Sequence, residues 1–238
     1  MPPKYSKCVA LLLLLIGIVF VQCDDGLPDD PFADIPSSLD VDGTTGYSNI
    51  DVSTARNNFL NFPFERISDQ EVKGIRFVRE EEKVAVDFYT AMNALFSSAD
   101  LKKVAQSEQT HLIASGFSID KYNLTDPTEG MTAGMFASQS LQAHYNQSIE
   151  EGSPSLMAAY ITGAKLQESN LITIQNQLDR VANNLDLRNI YDALHIATRN
   201  HLRIMIKGVN ANGGSYSPLF IDAEVFQDIV GSGFELGS

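Results

Sequence analysis

Glu108-Gln-Thr-His111 sets a carboxylate and an imidazole three residues apart. On a helix that spacing puts both side chains on one face, about 5–6 Å apart at Cβ, where they can grip one ion. Three more residues extend the pattern, since Glu82, Glu168 and His201 each interrupt an otherwise apolar helical seam. An unpaired buried charge costs on the order of several kcal/mol. Five such residues converging on one point are explained if a metal ion sits among them.

In dimetal helix bundles the usual plan is one Glu from each of two helices and a Glu-x-x-His from each of the other two. Glu82 and Glu168 occupy the single-Glu places and His201 that of the second His, in the right order along the chain. Thr198 departs from the plan, standing three residues before His201 where a second bridging Glu would be expected. The ligand set is then three carboxylates and two imidazoles, which predicts a weaker and more open second metal position. The competing reading makes Glu82 and Glu168 ordinary surface or hydrogen-bonded residues. Glu80, Glu81 and Glu82 form an acidic run of the kind that marks a solvated face, and Glu81 also neighbours Phe77, Val84 and Phe88, so phase alone does not choose between Glu81 and Glu82. His195 aligns with Arg188, Asp192 and Arg199 and is expected on a charged outer face; His144 is expected to be a surface or packing residue.

The elements that must position these groups are helices. Ser68 with Glu71 is a capping-box start. Ile75, Val78, Glu82, Ala85, Tyr89, Met92 and Phe96 then recur at alternating spacings of three and four, the signature of a buried helical stripe. A second helix is expected over about residues 99–116, a shorter one over 134–151, a third over 154–183, restarted by Ser153-Pro154, and a fourth over 187–207. In the third, Met157, Ile161, Ala164, Glu168 and Leu171 are in phase; in the fourth, Ile190, Leu194, Ala197, His201 and Ile204. Residues 222–230 form a closing helix, and no segment reads as a convincing strand. The expected fold class is all-α.

Residues 1–23 read as a secretory signal, with Lys4 and Lys7 before an apolar run from Ala10 to Val21 that is short for a bilayer span. The rival reading, a lipid anchor on Cys23, fits poorly after Gln22. Both cysteines, Cys8 and Cys23, fall in this segment, so the mature chain would be secreted without disulfides and would need a sizeable core. Residues 24–66, rich in aspartate and carrying Pro28, Pro31 and Pro36, read as a disordered acidic leader. Its aspartates lack the spacing of a calcium-binding EF-hand loop. The domain proper spans 67–231. The formal charge of −13 becomes −15 once Lys4 and Lys7 are removed, which argues against nucleic acid and anionic membrane surfaces as partners. Asn123-Leu-Thr125 and Asn146-Gln-Ser148 are glycosylation sequons.

The stretches ISDQEVKGIRFVREEEKVAVDFYTAM, VAQSEQTHLIAS, GAKLQESNLITIQ, RNHLRIMIKG and SYSPLFIDAEVFQDIV, in this order over nearly all of 67–231, resemble a bacterial and microbial-eukaryote family of ferritin-like domains of unknown function. The resemblance implies a ferritin-like four-helix bundle with short additional helices. It carries Glu82, Glu108, His111, Glu168 and His201 across as metal ligands. Tyr89 matches a Tyr that often lies near a dimetal centre in that superfamily; its alternative role is core packing.

Three functions compete. The first is a secreted oxidoreductase using two iron or manganese ions on O2 or peroxide. The second is a non-catalytic module clipped by a single zinc or iron. The third is a glycosylated extracellular matrix or storage protein acting through its leader. Imidazole and carboxylate ligands with open positions suit iron and favour the first. Oligomeric state is left open.

Overall fold

The computed structural model describes residues 36–181 and 184–237, and the expected signal segment lies outside them. The described residues hold two short strands, β1 (Asp40–Val41) and β2 (Ser48–Asn49), and seven helices: α1 (Val52–Asn61), α2 (Asp69–Phe96), α3 (Ala99–Lys121), α4 (Gln139–Gly152), α5 (Leu156–Leu178), α6 (Leu185–Ala211) and α7 (Ala223–Gly231). The expected all-α class stands, since among the described residues the only sheet is the antiparallel β1–β2 pair.

Local signals set the helix starts. Ser68 accepts from the Glu71 amide while Glu71 reaches back, a complete capping box. Ser98, Ser138 and Ser155 cap α3, α4 and α5. The restart of α5 therefore lies two residues beyond the Ser153 that the Ser-Pro signal suggested, with Ser153 closing α4 instead. Helix α3 runs through Gly116 to Lys121. Beside Gly116 the Arg79 guanidinium passes in ordinary contact and reaches the Leu112 carbonyl and Asp126.

Helices α2 and α3 pack along each other, as do α5 and α6, with α2 against α5 and α3 against α6. The core falls into two apolar clusters. One joins Phe88, Tyr89 and Met92 of α2, Leu101 and Val104 of α3, Ala159 and Ala164 of α5, and Leu202 and Met205 of α6. The other joins Ile75 and Val78, Ala114 and Phe117, Ile174, and Leu187 through Ala197. Helices α2 and α6 meet the second cluster first and α3 and α5 the first, so α2 and α6 run one way and α3 and α5 the other. Between the clusters lies a layer of buried polar residues.

The expected disordered leader needs correction for residues 36–66. Val41 and Phe59 are wholly buried, and Leu39 and Ala55 nearly so. Ser38 hydrogen-bonds Asn189 on α6, and Asp51 caps α1 by accepting from the Thr54 amide. The Lys121 ammonium donates to the Phe62 carbonyl at 3.0 Å and pairs with Asp186 at 2.7 Å, tying the C-terminal end of α1 to α3 and α6. The C-terminal tail joins this cap. The Gly237 amide donates to the Val41 carbonyl, and the Phe234 ring lies where a Cβ on Gly46, at φ +76°, would sit. In a leader with few apolar residues, Leu39, Val41, Ala55, Phe59 and Phe62 are buried, while Val52, Leu60 and Phe64 stay exposed.

Candidate metal centre

Helix α3 presents Glu108 and His111, and α6 presents His201, all buried, with one ligand atom of each within 4.8 Å of the others. His111 Nδ1 stands 2.8 Å from Glu108 Oε2, and His201 Nδ1 stands 2.9 Å from Glu108 Oε1. Each imidazole therefore faces its own oxygen of one carboxylate. The two rings lie nearly parallel, 5.1 Å apart. Glu82 Oε2 approaches His111 Nδ1 at 3.4 Å from α2. Donors held about 2.0–2.2 Å from a shared ion stand roughly 3 Å from one another, so this spacing suits a metal ion; without one, the same contacts close as charge-assisted hydrogen bonds.

The acidic run resolves into three destinations. Glu80 accepts from the Ser138 amide and Glu81 from the Thr173 hydroxyl, and of the run it is Glu82 that lies against His111. All three are buried, so the run is no solvated face. Burial holds the Glu81 carboxyl well above the usual carboxylate range.

Electrostatics make the layer a coupled unit. Burial is the largest influence on Glu108 and raises its pKa, but His201 and His111 together outweigh it and hold the carboxylate ionised. Burial alone would lower His111; Glu108 and then Glu82 reverse this and push it up to about 10. Glu82 is pushed up to about 7 by burial, against the pull of His111. Burial keeps His201 below the usual imidazole value, opposed by Glu108.

Of α5, Gln167 reaches the cluster, whereas Glu168 is not among the three residues whose ligand atoms gather there. Glu168 Oε2 accepts from the amides of Leu219, Phe220 and Ile221, clamping the turn before α7. Its Oε1 is buried without a hydrogen-bond partner. Gln167, absent from the expected set, donates from Nε2 to Glu108 Oε1 at 2.8 Å and to the Tyr89 hydroxyl at 2.9 Å. Tyr89 in turn donates to the Gly163 carbonyl. It thus lies one side chain from Glu108, with burial raising its pKa. Thr198 donates to the Leu194 carbonyl within α6. Close passage of α6 past α5 could have flagged Gln167 as inward, but on sequence it is an ordinary polar residue beside the more eligible Glu168.

His195 differs from expectation. It is half-buried, accepts from Arg199 at 2.7 Å, and is pulled down to about 4 by burial and then by the Arg199 charge. It lines a cavity of about 680 Å³ between α5, α6 and α7. Arg199 and Arg203 pair there with Glu235 of the tail. His144 is half-buried, as a packing residue would be. Asn123 and Asn146 of the two sequons are exposed.

The molecule is thus a mostly helical protein with a buried Glu/His/His cluster able to hold a metal ion. The profile of the uncharacterized protein domain DUF2202 matches residues 71–233, and the chain belongs to that family. It is similar to the uncharacterized protein MJ0754 of Methanocaldococcus jannaschii, 30% identical over 177 residues that cover 74% of this chain and 95% of that protein. The crystal structure of hypothetical protein MJ0754 superposes with a TM-score of 0.71 at 30% identity, covering 74% of this chain and 99% of that one.

Proposed function

We propose that this chain is a ferritin-like four-helix bundle that holds two metal ions in its polar layer and acts as a secreted oxidoreductase on O2 or peroxide. The observation that carries the reading is the pairing of each imidazole Nδ1 with a different oxygen of Glu108, as expected of a carboxylate that bridges two ions between two histidines. The donor chemistry fits. Glu168 Oε1 is buried without a hydrogen-bond partner, and Glu82 Oε2 has only the His111 ring at 3.4 Å, and under-satisfied buried oxygens of this kind are open to a further partner. Glu108 would bridge, His111 and His201 would each serve one ion, and Glu82 and Glu168 would complete the ends. Iron or manganese held by these residues would supply electron transfer to the oxidant. Gln167 fixes Glu108 and holds the Tyr89 hydroxyl nearby, while the apolar clusters on both sides exclude water. The signal-like segment at 1–23 supports the extracellular assignment.

A second reading, a single zinc or iron that clips the bundle without turnover, is favoured by one feature: Thr198 spends its hydroxyl on its own helix and offers no second bridging carboxylate. The two separate on exposure of Fe(II)-loaded protein to O2 or peroxide. The oxidoreductase reading expects oxidant consumption with a new near-ultraviolet or visible band, lost in His111→Ala. A clip gives no consumption and a large fall in melting temperature on chelation.

A further inference from the structure

We propose that the N-terminal hairpin braces the metal centre, with Ser48 and Ser107 acting as positioning residues for its two histidines. This rests on the metal reading above, but on different atoms. An imidazole that ligates through Nδ1 carries its proton on Nε2, and the partner of that N–H sets ring orientation and ligand basicity. His111 Nε2 lies 2.9 Å from the Ser48 hydroxyl, and His201 Nε2 lies 2.8 Å from the Ser107 hydroxyl. The Ser48 amide donates to that same Ser107 oxygen at 2.8 Å. A hydroxyl oxygen has two lone pairs, so Ser107 can accept from both the Ser48 amide and the His201 ring. Ser48 thereby touches one histidine directly and the other through Ser107, which ties the two rings into one register. All four residues are buried.

Ser48 belongs to β2, and what holds it comes from both ends of the folded region. Val41 of β1 pairs with it, the tail adds the Gly237 amide to the Val41 carbonyl, and Glu235 anchors the tail through Arg199, Arg203 and Asn200 of α6. Arg199, Asn200 and Arg203 surround His201 in sequence, so the helix that presents this ligand also holds the tail that presses the hairpin down. Hairpin and tail both lie outside the 71–233 stretch matched to the family profile.

The test is a Co(II) titration of the full chain in competition with a chelator, reading affinity and the visible absorption of the bound ion. Ser48→Ala is expected to weaken Co(II) binding about 10–100-fold and to change the band pattern, while Ser48→Thr, which keeps the hydroxyl, restores both. Wild-type affinity and spectrum in Ser48→Ala would overturn the brace and leave the metal reading standing. Failure of the wild type itself to take up Co(II) would overturn the metal reading and the brace with it. Should Ser48→Ala fold poorly, Ser107→Ala carries the same test from within α3, and unchanged affinity and spectrum there overturn the proposal.

Discussion

Replacing Glu108 with alanine is expected to abolish metal binding and to destabilise the metal-free protein by about 3–5 kcal/mol, the usual cost of removing one partner from a buried ion pair. Glu108 is the group that both Nδ1 atoms face and that Gln167 also holds. Without it, His111 Nδ1 keeps only Glu82 at 3.4 Å, and the charge that this carboxylate stabilises loses its main support. Glu108→Gln separates the two effects. It keeps the volume and some hydrogen bonding, so stability falls less, while the bridging charge is gone and metal is lost. Urea unfolding of the metal-free variants, with metal content measured in parallel, reads both. An alanine variant as stable as the wild type would mean that the polar layer is not coupled through this residue.

The second large effect is expected from Phe59→Ala in α1. The ring is wholly buried, stands 6.1 Å from Phe117, and carries the Lys121 ammonium over its face at 5.2 Å. Truncating a buried phenylalanine costs about 3–5 kcal/mol, and the loss of midpoint in a denaturant titration measures it. A disordered leader would give no change at all, so the experiment decides whether residues 52–61 belong to the cooperative unit.

Helices α2 and α3 were legible because apolar stripes recur along them at threes and fours and Ser68 and Ser98 mark their starts, and α6 from its apolar stripe alone, since Asn184 makes no side-chain cap. Glu82, Glu108, His111 and His201 each break such a stripe, and the structure sets them side by side. Helix α5 was harder to read. It packs against α2, α4 and α6, so Ala159, Tyr160, Gly163, Leu166, Gln167 and Glu168 are all buried, whereas Met157 of the expected seam is 37% exposed. A helix buried over so wide an arc has no single phase, and Gln167 and Glu168 compete for the inward direction. His195 misled for another reason: Arg188 and Asp192 on its face are indeed exposed, but the tail folds over His195 and Arg199, and a contact with residue 235 leaves no mark on helical periodicity. The leader combined acidic, proline-containing composition with only a few apolar residues. Its usable signals were the Leu39-x-Val41 alternation and the Ala55 to Phe59 spacing of four, each too short to outweigh the composition.

The central claim, that the Glu/His layer holds metal, is tested most directly by mass-spectrometric metal analysis of the purified wild-type protein beside His111→Ala. The expected result is roughly two iron or manganese ions per chain in the wild type and a marked loss in the variant. Wild-type protein with no metal above background, before and after incubation with Fe(II), would contradict it.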